Sequence, residues 1–246
     1  FDIKLDMNSS HGQNNDLMEC RGCAAKLPGR YLKEALANAQ LSEIANTPED
    51  SSVVASSINQ KIYLQSVDGF PALVSDTWLN ARLTALHASS DLWASGASVL
   101  SAQSIITLPK TSRFIQQELL EQSILGIKSA LDLQNAKLIG GHTLETRNVT
   151  NDQVSLGVEI SLSVNGFLSE NRKPWLISGL KRGDTLMISR GIGTGVIFAA
   201  SMAGKTKSNI LEDTLLLLSK SQHSLLDDIN IIQDRNSLEN VIHACT

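Results

Sequence analysis

The sequence lacks long apolar runs and lacks an excess of positive charge. No apolar stretch approaches the roughly 18 residues that a membrane-spanning helix needs. The 21 Lys and Arg are outnumbered by 25 Asp and Glu, whereas proteins that bind nucleic-acid backbones carry clustered basic residues. With 42% hydrophobic and 19% charged residues, the composition predicts a soluble globular protein with no membrane segment in this chain and no nucleic-acid partner.

Cysteine is also scarce. Cys20, Cys23 and Cys245 are an odd number, and no apolar stretch with a small-residue cleavage site precedes them. Secreted domains usually pair their cysteines and follow such a leader, so we predict a cytoplasmic protein. The chain begins at Phe1 and stops at Thr246 without a helix stop signal, and we expect both ends to be cut.

The spacing of apolar residues predicts a mixture of helices and strands. Helical spacing occurs over residues 30–40, 79–95 and 120–131, the last helix being opened by Thr111 or Ser112 as cap. Strand patterns occur over residues 62–66, 101–108, 156–164 and 185–189, and the third of these is expected to close at Asn165-Gly166. Because helices and strands do not strictly alternate, an α+β fold with helices on one face of a sheet is predicted.

The order of these elements predicts two domains behind a polar arm. Residues 1–19 are polar and aperiodic, which is typical of a linker. Residues 20–168 are expected to form the first domain, and residues 169–246 part of a second. The Gly-rich segment 191–195 matches neither a Walker loop nor a dinucleotide fingerprint and is interpreted as a turn into a helix.

The helix over residues 79–95 is predicted to have an apolar face and a polar face. The polar face carries Asn80, Thr84, His87 and Asp91. Asp91 falls near the carboxyl end of the helix, where the helix dipole disfavours a carboxylate, and a bound cation would relieve that cost.

Asp50 and Asp68 are two further aspartates that are candidates for binding a cation. Each of the three aspartates alone is compatible with a helix cap or a solvated surface charge. Together, Asp50, Asp68 and Asp91 are the carboxylates expected of a magnesium site that also receives substrate phosphates.

The segment from Cys20 to Lys26 permits several interpretations. Two cysteines separated by two residues suit a zinc site, a redox dithiol or plain surface thiols. Lys26 lies three residues after Cys23, and a nearby ammonium group favours the thiolate and attracts phosphate or an anionic nucleophile. Cys23 and Lys26 are therefore predicted to act as a unit, while the role of Cys20 stays open.

Gly140-Gly141-His142-Thr143 follows an apolar pair and is predicted to form a turn. Consecutive glycines allow backbone amides to approach a phosphate, although a turn without a ligand has the same pattern. His142 is a candidate for hydrogen bonding or acid–base chemistry.

Taken together and in chain order, these motifs resemble those of selenophosphate synthetase, a member of the aminoimidazole ribonucleotide synthetase superfamily. The matching segments are Cys23-Ala24-Ala25-Lys26, Asp50, Ser66-Val67-Asp68, residues 88–97, Gly140-Gly141-His142-Thr143 and Gly193-Thr194-Gly195-Val196. The resemblance implies a ferredoxin-like N-terminal ATP-binding domain with a truncated α/β C-terminal domain, in a homodimer whose two sheets close a barrel. It implies that selenide, ATP and water give selenophosphate, AMP and phosphate.

The resemblance also implies roles for residues. Cys23 occupies the position that the family fills with Cys or selenocysteine, and Lys26 that of an essential lysine, which also contacts the nucleotide. Asp50, Asp68 and Asp91 match the magnesium and nucleotide carboxylates, with Asp68 and Asp91 also at the nucleotide. Gly140, Gly141, His142 and Thr143 match a turn at the nucleotide. ATP and Mg²⁺ are the implied cofactors, with a monovalent cation as a further candidate.

The chain departs from the family pattern at two places. Ala25 stands where many relatives have a second cysteine, and the chain stops before a family segment that supplies another metal ligand. The resemblance therefore implies that this fragment alone is inactive, and residues 1–19 suit the tail of a fused flavin-dependent oxidoreductase. Two alternatives stay open, namely another small-molecule kinase or synthetase of the superfamily, and a non-catalytic nucleotide-binding or redox module.

Overall fold

A computed structural model describes residues 29–46, 49–58, 61–146, 157–170, 172–235 and 242–246. The strands are β1 Ser52–Ile58, β2 Lys61–Phe70, β3 Ser98–Leu108, β4 Lys137–Glu145 and β5 Glu159–Leu168. The helices are α1 Gly29–Asn38, α2 Ser42–Asn46, α3 Thr77–Ala94, α4 Arg113–Leu131, α5 Thr194–Met202, α6 Ser208–Leu218 and α7 His223–Arg235. Among the described residues, no helix has the length and apolarity needed to cross a membrane.

The strands form one sheet in the order β1-β2-β5-β3-β4. Neighbouring strands pair antiparallel except β3 and β4, which are parallel. The β2-α3-β3 unit is split by β5, and this split β-α-β arrangement is the one found in ferredoxin-like folds. The predicted α+β class is confirmed.

One face of the sheet is packed against α3 and α4. Along β5, residues 160, 162, 164, 166 and 168 are buried while their neighbours are not, as strand periodicity requires when one face is covered. Their partners include Ala85 and Leu92 of α3 and Ile127 of α4. The helices therefore lie on one side, as predicted, and this layer forms the core.

The polar side of α3 is less exposed than its pattern predicts. Asn80 is 1% exposed and Thr84 is fully buried. Asn80 accepts a hydrogen bond from the Leu73 amide and donates one to the Val158 carbonyl, while the Thr84 hydroxyl donates to the Asn80 carbonyl. These two residues satisfy local backbone groups, and only His87 and Asp91 remain available for chemistry on that side.

Two strand predictions are corrected. β5 does not close at Asn165-Gly166 but continues to Leu168, because Gly166 pairs with Leu64 of β2. Residues 185–189 are not a strand, since among the described residues no strand lies alongside to accept their hydrogen bonds. The turn over residues 191–195 is confirmed, with Gly193 capping α5 in a left-handed conformation.

Gly126 of α4 lets α3 and α4 approach each other closely. A Cβ atom at this position would overlap the Trp78 carbonyl and lie 2.8 Å from the Ala81 Cβ atom. On the other side of the contact, the Arg82 guanidinium donates to the carbonyls of Ser129 and Ser219. Arg82 thereby joins α3 to the ends of α4 and α6.

We expect Gly126→Ala to lower the free energy of unfolding by about 1–3 kcal/mol, because the added methyl group meets backbone that must shift. The matched control is Gly195→Ala in α5, where nothing lies within 4 Å and the better helix propensity of alanine applies. Urea unfolding measures both. Equal stability of the Gly126 variant and the wild type would contradict the packing argument.

Candidate functional site

Strand and helix periodicity bring four polar side chains to one place. In β2, residues 64, 66 and 68 share the face that is turned toward α3, and Leu64 and Ser66 are buried there. In α3, His87 and Asp91 are four residues apart and therefore lie on the same face. Ser66 and Asp68 meet this face.

Asp91 is the most perturbed group of the site. The Ser66 hydroxyl donates a 2.6 Å hydrogen bond to its Oδ2 atom. Burial raises the pKa of Asp91; the Ser66 hydrogen bond and the positive potential of His87 oppose this rise, and the charges of Asp68 and Asp50 add to it. Asp50, Asp68 and Asp91, which we call the carboxylate cluster, therefore lie close enough for their charges to interact.

Asp68 is held on both carboxylate oxygens. Its Oδ1 accepts a 2.7 Å hydrogen bond from the Gly69 amide, and its Oδ2 lies 3.0 Å from Nε2 of His87. Nε2 makes no hydrogen bond of acceptable geometry with the described residues, so the contact is a close approach of this nitrogen to the carboxylate oxygen. The ring of Phe70 packs against the imidazole with 4.4 Å between centroids.

A short chain of hydroxyl groups joins Ser51, the chain neighbour of Asp50, to the backbone of Asp91. The Oγ atoms of Ser51 and Ser95 are 2.6 Å apart, and Ser95 donates to the Asp91 carbonyl at 2.9 Å. The hydroxyl of Thr246 donates to Oδ1 of Asp50 at 3.4 Å. The Oδ2 atom of Asp50 is buried and has no hydrogen-bond partner among the described residues, which makes it an open acceptor.

The predicted magnesium ligands are thus neighbours without forming a closed metal site. Within the described ranges, no group of three or more His, Cys, Asp or Glu side chains is arranged to hold a metal ion. Magnesium usually takes one or two carboxylates and completes its shell with water and substrate phosphates. The open oxygen of Asp50 and the charge repulsion at Asp91 fit that kind of partial site.

A cavity of about 680 Å³ adjoins the cluster. Its walls come from α1, from the start of β1 and from the segment around Trp175, and they include Leu36, Ser51, Leu64 and Ser95. This volume falls in the range of small-molecule sites. A ligand in the cavity would lie beside Asp50, whose chain neighbours Glu49 and Ser51 line it.

The predicted turn over Gly140-Gly141-His142-Thr143 is wrong. These residues lie within β4 at the edge of the sheet and are exposed. A Cβ atom on Gly141 would overlap the Ser104 carbonyl, so the close approach of β3 explains this glycine. Two strands separate β4 from β2, which corresponds to about 14 Å, and the structure does not bring this set to the cluster.

The predictions for the segment from Cys20 to Lys26 stay predictions. Cys20, Cys23 and Lys26 lie outside the described residues. Cys245 is a free thiol whose pKa is raised by burial and by the charge of Asp50. A raised thiol pKa disfavours both metal ligation and nucleophilic attack, so Cys245 does not support the zinc or redox interpretation.

The part of the chain that carries the carboxylate cluster matches a known protein family. Residues 48–167 match the family described as AIR synthase related protein, N-terminal domain. This segment is similar to AIR synthase related domains. All three aspartates of the carboxylate cluster and His87 lie inside it.

The chain as a whole is similar to selenide, water dikinases. It is 27% identical over 231 residues to that of Pelobacter propionicus, covering 92% of this chain and 60% of the relative. It is 26% identical over 233 residues to that of Bdellovibrio bacteriovorus, covering 92% and 61%. The resemblance to selenophosphate synthetases is confirmed, and the chain spans about 60% of the length of these relatives.

Solved structures share the fold. AaThiL, solved in complex with AMPPCP and TMP, matches with a TM-score of 0.61 at 16% identity, covering 85% of this chain and 65% of that chain. The thiamine-monophosphate kinase from Stenotrophomonas maltophilia K279a matches with a TM-score of 0.55 at 17% identity, covering 78% and 62%. At these identities the likeness establishes a shared fold and no more.

Sequence reasoning missed the partners of the aspartates. It placed His87 beside Asp91 on one helix face but did not pair it with Asp68, and it gave no role to Ser51 and Ser95. The i, i+4 spacing of His87 and Asp91 was a usable signal. The Ser51–Ser95 contact joins residues 44 positions apart, and no local pattern predicts such a pair.

We expect Asp91→Asn to raise the melting temperature by a few degrees at neutral pH. Because the pKa of Asp91 is raised, its charged form is disfavoured in the folded state, and an amide removes that cost. Thermal unfolding followed by circular dichroism measures the change. The gap between the two proteins should close as the pH falls below the ordinary aspartate range, and a less stable variant at neutral pH would contradict this account.

Proposed function

We propose that the protein uses ATP and water to convert selenide into selenophosphate, releasing AMP and phosphate. The observation that carries the proposal is the carboxylate cluster. It lies in a segment similar to AIR synthase related domains, within a chain similar to selenide, water dikinases. The AMPPCP bound by the fold relative AaThiL is a non-hydrolysable ATP analogue, which supports a nucleotide as the ligand.

Asp50 and Asp91 are the residues proposed to hold magnesium. Oδ2 of Asp50 is a buried acceptor without a hydrogen-bond partner in the described part of the chain. The raised pKa of Asp91 reflects burial and neighbouring carboxylates, a cost that a cation removes. Magnesium, when bound, would neutralise phosphate oxygens of the nucleotide. Asp68 is proposed to complete the site as an oriented anion.

Cys23 and Lys26 are proposed to act on the selenium nucleophile and on the transferred phosphoryl group. α1 begins at Gly29 and lines the cavity beside Asp50. Lys26 is three residues earlier, so the chain allows it to lie within about 10 Å of Gly29. An ammonium group at the cavity would stabilise the charge that develops during phosphoryl transfer.

Gly140, Gly141, His142 and Thr143 stay proposed nucleotide contacts in a modified form. Because β4 is an exposed edge strand about 14 Å from β2, one nucleotide would have to run along the sheet to reach both places. Alternatively, a second copy of the chain would bring its own β4 to the site.

A homodimer is proposed on the basis of the uncovered sheet face. Val67 is 69% exposed and Ile105 is 50% exposed, and Tyr63 and Phe167 form a cross-strand aromatic pair on the same side. No described helix covers this face, which leaves these apolar side chains exposed around the polar group formed by Gln65, Ser163 and Asn165, and exposed apolar groups of this kind favour association. Pairing the two sheets across a twofold axis would bury it.

The full-length protein that contains this chain should consume ATP only when selenide and Mg²⁺ are both present. We expect Cys23→Ser and Lys26→Ala each to lower turnover by about a hundredfold or more. We expect Asp91→Asn to abolish the Mg²⁺-dependent turnover. His223→Gln, far along the chain in α7, is the control. Coupled detection of AMP measures the reaction.

Two results would contradict the proposed function. ATP consumption that does not depend on selenide would point to another small-molecule kinase or synthetase of the superfamily. Tight binding of AMPPCP without any turnover by the full-length protein would point to a non-catalytic nucleotide-binding module.

We expect Val67→Lys to convert the dimer into a monomer, because a charge buried in the proposed interface would be left without a partner. Phe114→Lys is the matched control, since Phe114 is 80% exposed on α4, away from the sheet face. Light scattering coupled to size-exclusion chromatography measures the mass. A Val67 variant that keeps the mass of the wild type would exclude this face as the interface.

A further inference from the structure

His87 is a polar residue of the site that the proposed reaction does not use. It lies one helical turn before Asp91 on α3, and its side chain is 32% exposed. Its positive potential acts on Asp91. It is therefore close to the carboxylate cluster without belonging to it.

The imidazole of His87 is held from two sides. Phe70 packs against the ring, with 4.4 Å between the centroids and 32° between the planes. Nε2 lies 3.0 Å from Oδ2 of Asp68, whose side chain is only 11% exposed. Phe70 and Asp68 are both in β2 and two residues apart, so strand periodicity aims both side chains toward His87.

The same contacts fix the orientation of Asp68. A carboxylate can rotate about its last side-chain bond, and that rotation decides which oxygen faces a ligand. Here the Gly69 amide donates to Oδ1 at 2.7 Å, while Nε2 of His87 lies 3.0 Å from Oδ2 and limits the rotation of the carboxylate. Removing the imidazole would leave Asp68 with one of these two constraints, next to the negative charge of Asp91.

We propose that His87 is a positioning residue, which fixes the Asp68 carboxylate beside Asp91 in the geometry that the nucleotide site requires. The inference rests on the proposed function for its consequence, because Asp68 matters to catalysis only if the cluster serves a magnesium-bound nucleotide. The contact itself does not depend on that function. A general packing role, exerted through Phe70 alone, is the competing explanation.

Two substitutions separate these explanations. His87→Phe keeps an aromatic ring against Phe70 but removes the nitrogen that lies beside Asp68, whereas His87→Gln keeps a polar nitrogen at similar reach but removes the ring. A positioning role predicts that His87→Phe disturbs the orientation of Asp68 and weakens AMPPCP binding, and that His87→Gln largely restores both. A packing role predicts the reverse order.

The first readout needs no ligand. The amide proton of Gly69 reports on the Asp68 carboxylate, because it donates to Oδ1. In ¹H–¹⁵N NMR spectra we expect the Gly69 signal to move in His87→Phe and to return toward the wild-type position in His87→Gln, with His223→Gln as the control. A Gly69 signal that is the same in His87→Phe and the wild type would overturn the inference, whatever the protein binds.

The second readout is the Mg²⁺-dependent affinity for AMPPCP, measured by calorimetry on the full-length protein. We expect His87→Phe to weaken binding by about tenfold, the size of effect seen when a residue that orients a ligating group is lost, and His87→Gln to stay within about threefold. In the Asp68→Asn background, His87→Phe should have no further effect. Additive losses would overturn the inference. If the wild type binds no nucleotide while Gly69 responds as expected, the proposed function fails and the positioning role stands.

Discussion

The arrangement of the site depends on a carboxylate placed where isolated charges are unfavourable. Asp91 lies in the last turn of α3, and burial and two neighbouring aspartates raise its pKa. The Ser66 hydroxyl offsets part of this cost with a 2.6 Å hydrogen bond, and the charge interaction with His87 offsets a smaller part. Protein sites that bind cations commonly hold such repulsion in the free state and release it on binding. The repulsion among the three aspartates of the carboxylate cluster is of this kind and supports the proposed magnesium site.

Rigid elements hold these groups in place. β2 supplies Ser66 and Asp68 at alternate positions, and α3 supplies His87 and Asp91 one turn apart. α3 is itself fixed because Gly126 lets α4 pack against it and because Asn80 ties it to the backbone at two points. A shift of α3 along the sheet would separate the aspartates, so core packing and site geometry are linked through one helix.

The two faces of the sheet have different roles. The face under α3 and α4 forms the core and carries the carboxylate cluster at its edge, while the opposite face presents apolar side chains such as Val67 and Ile105. The first face explains the stability of the domain. The opposite face is the reason to expect that a second copy of the chain pairs with the sheet. Such a partner would bring its own exposed strand β4 toward the proposed nucleotide site.

The sequence by itself determined the α+β class, the bounds of α3 and α4 to within two residues, and the three aspartates as a group, because local periodicity and residue chemistry are readable along the chain. It misjudged Gly140-Gly141, since glycines suit both a phosphate turn and the close approach of two strands, and only the neighbouring Ser104 decides between them. It also missed that Asn80 and Thr84 are buried and that Asp68 pairs with His87. It further missed that residues 185–189 have no strand beside them in the described part of the chain. Each of these depends on which distant segment packs alongside, and long-range packing is decided by the tertiary structure because local spacing carries no information about it.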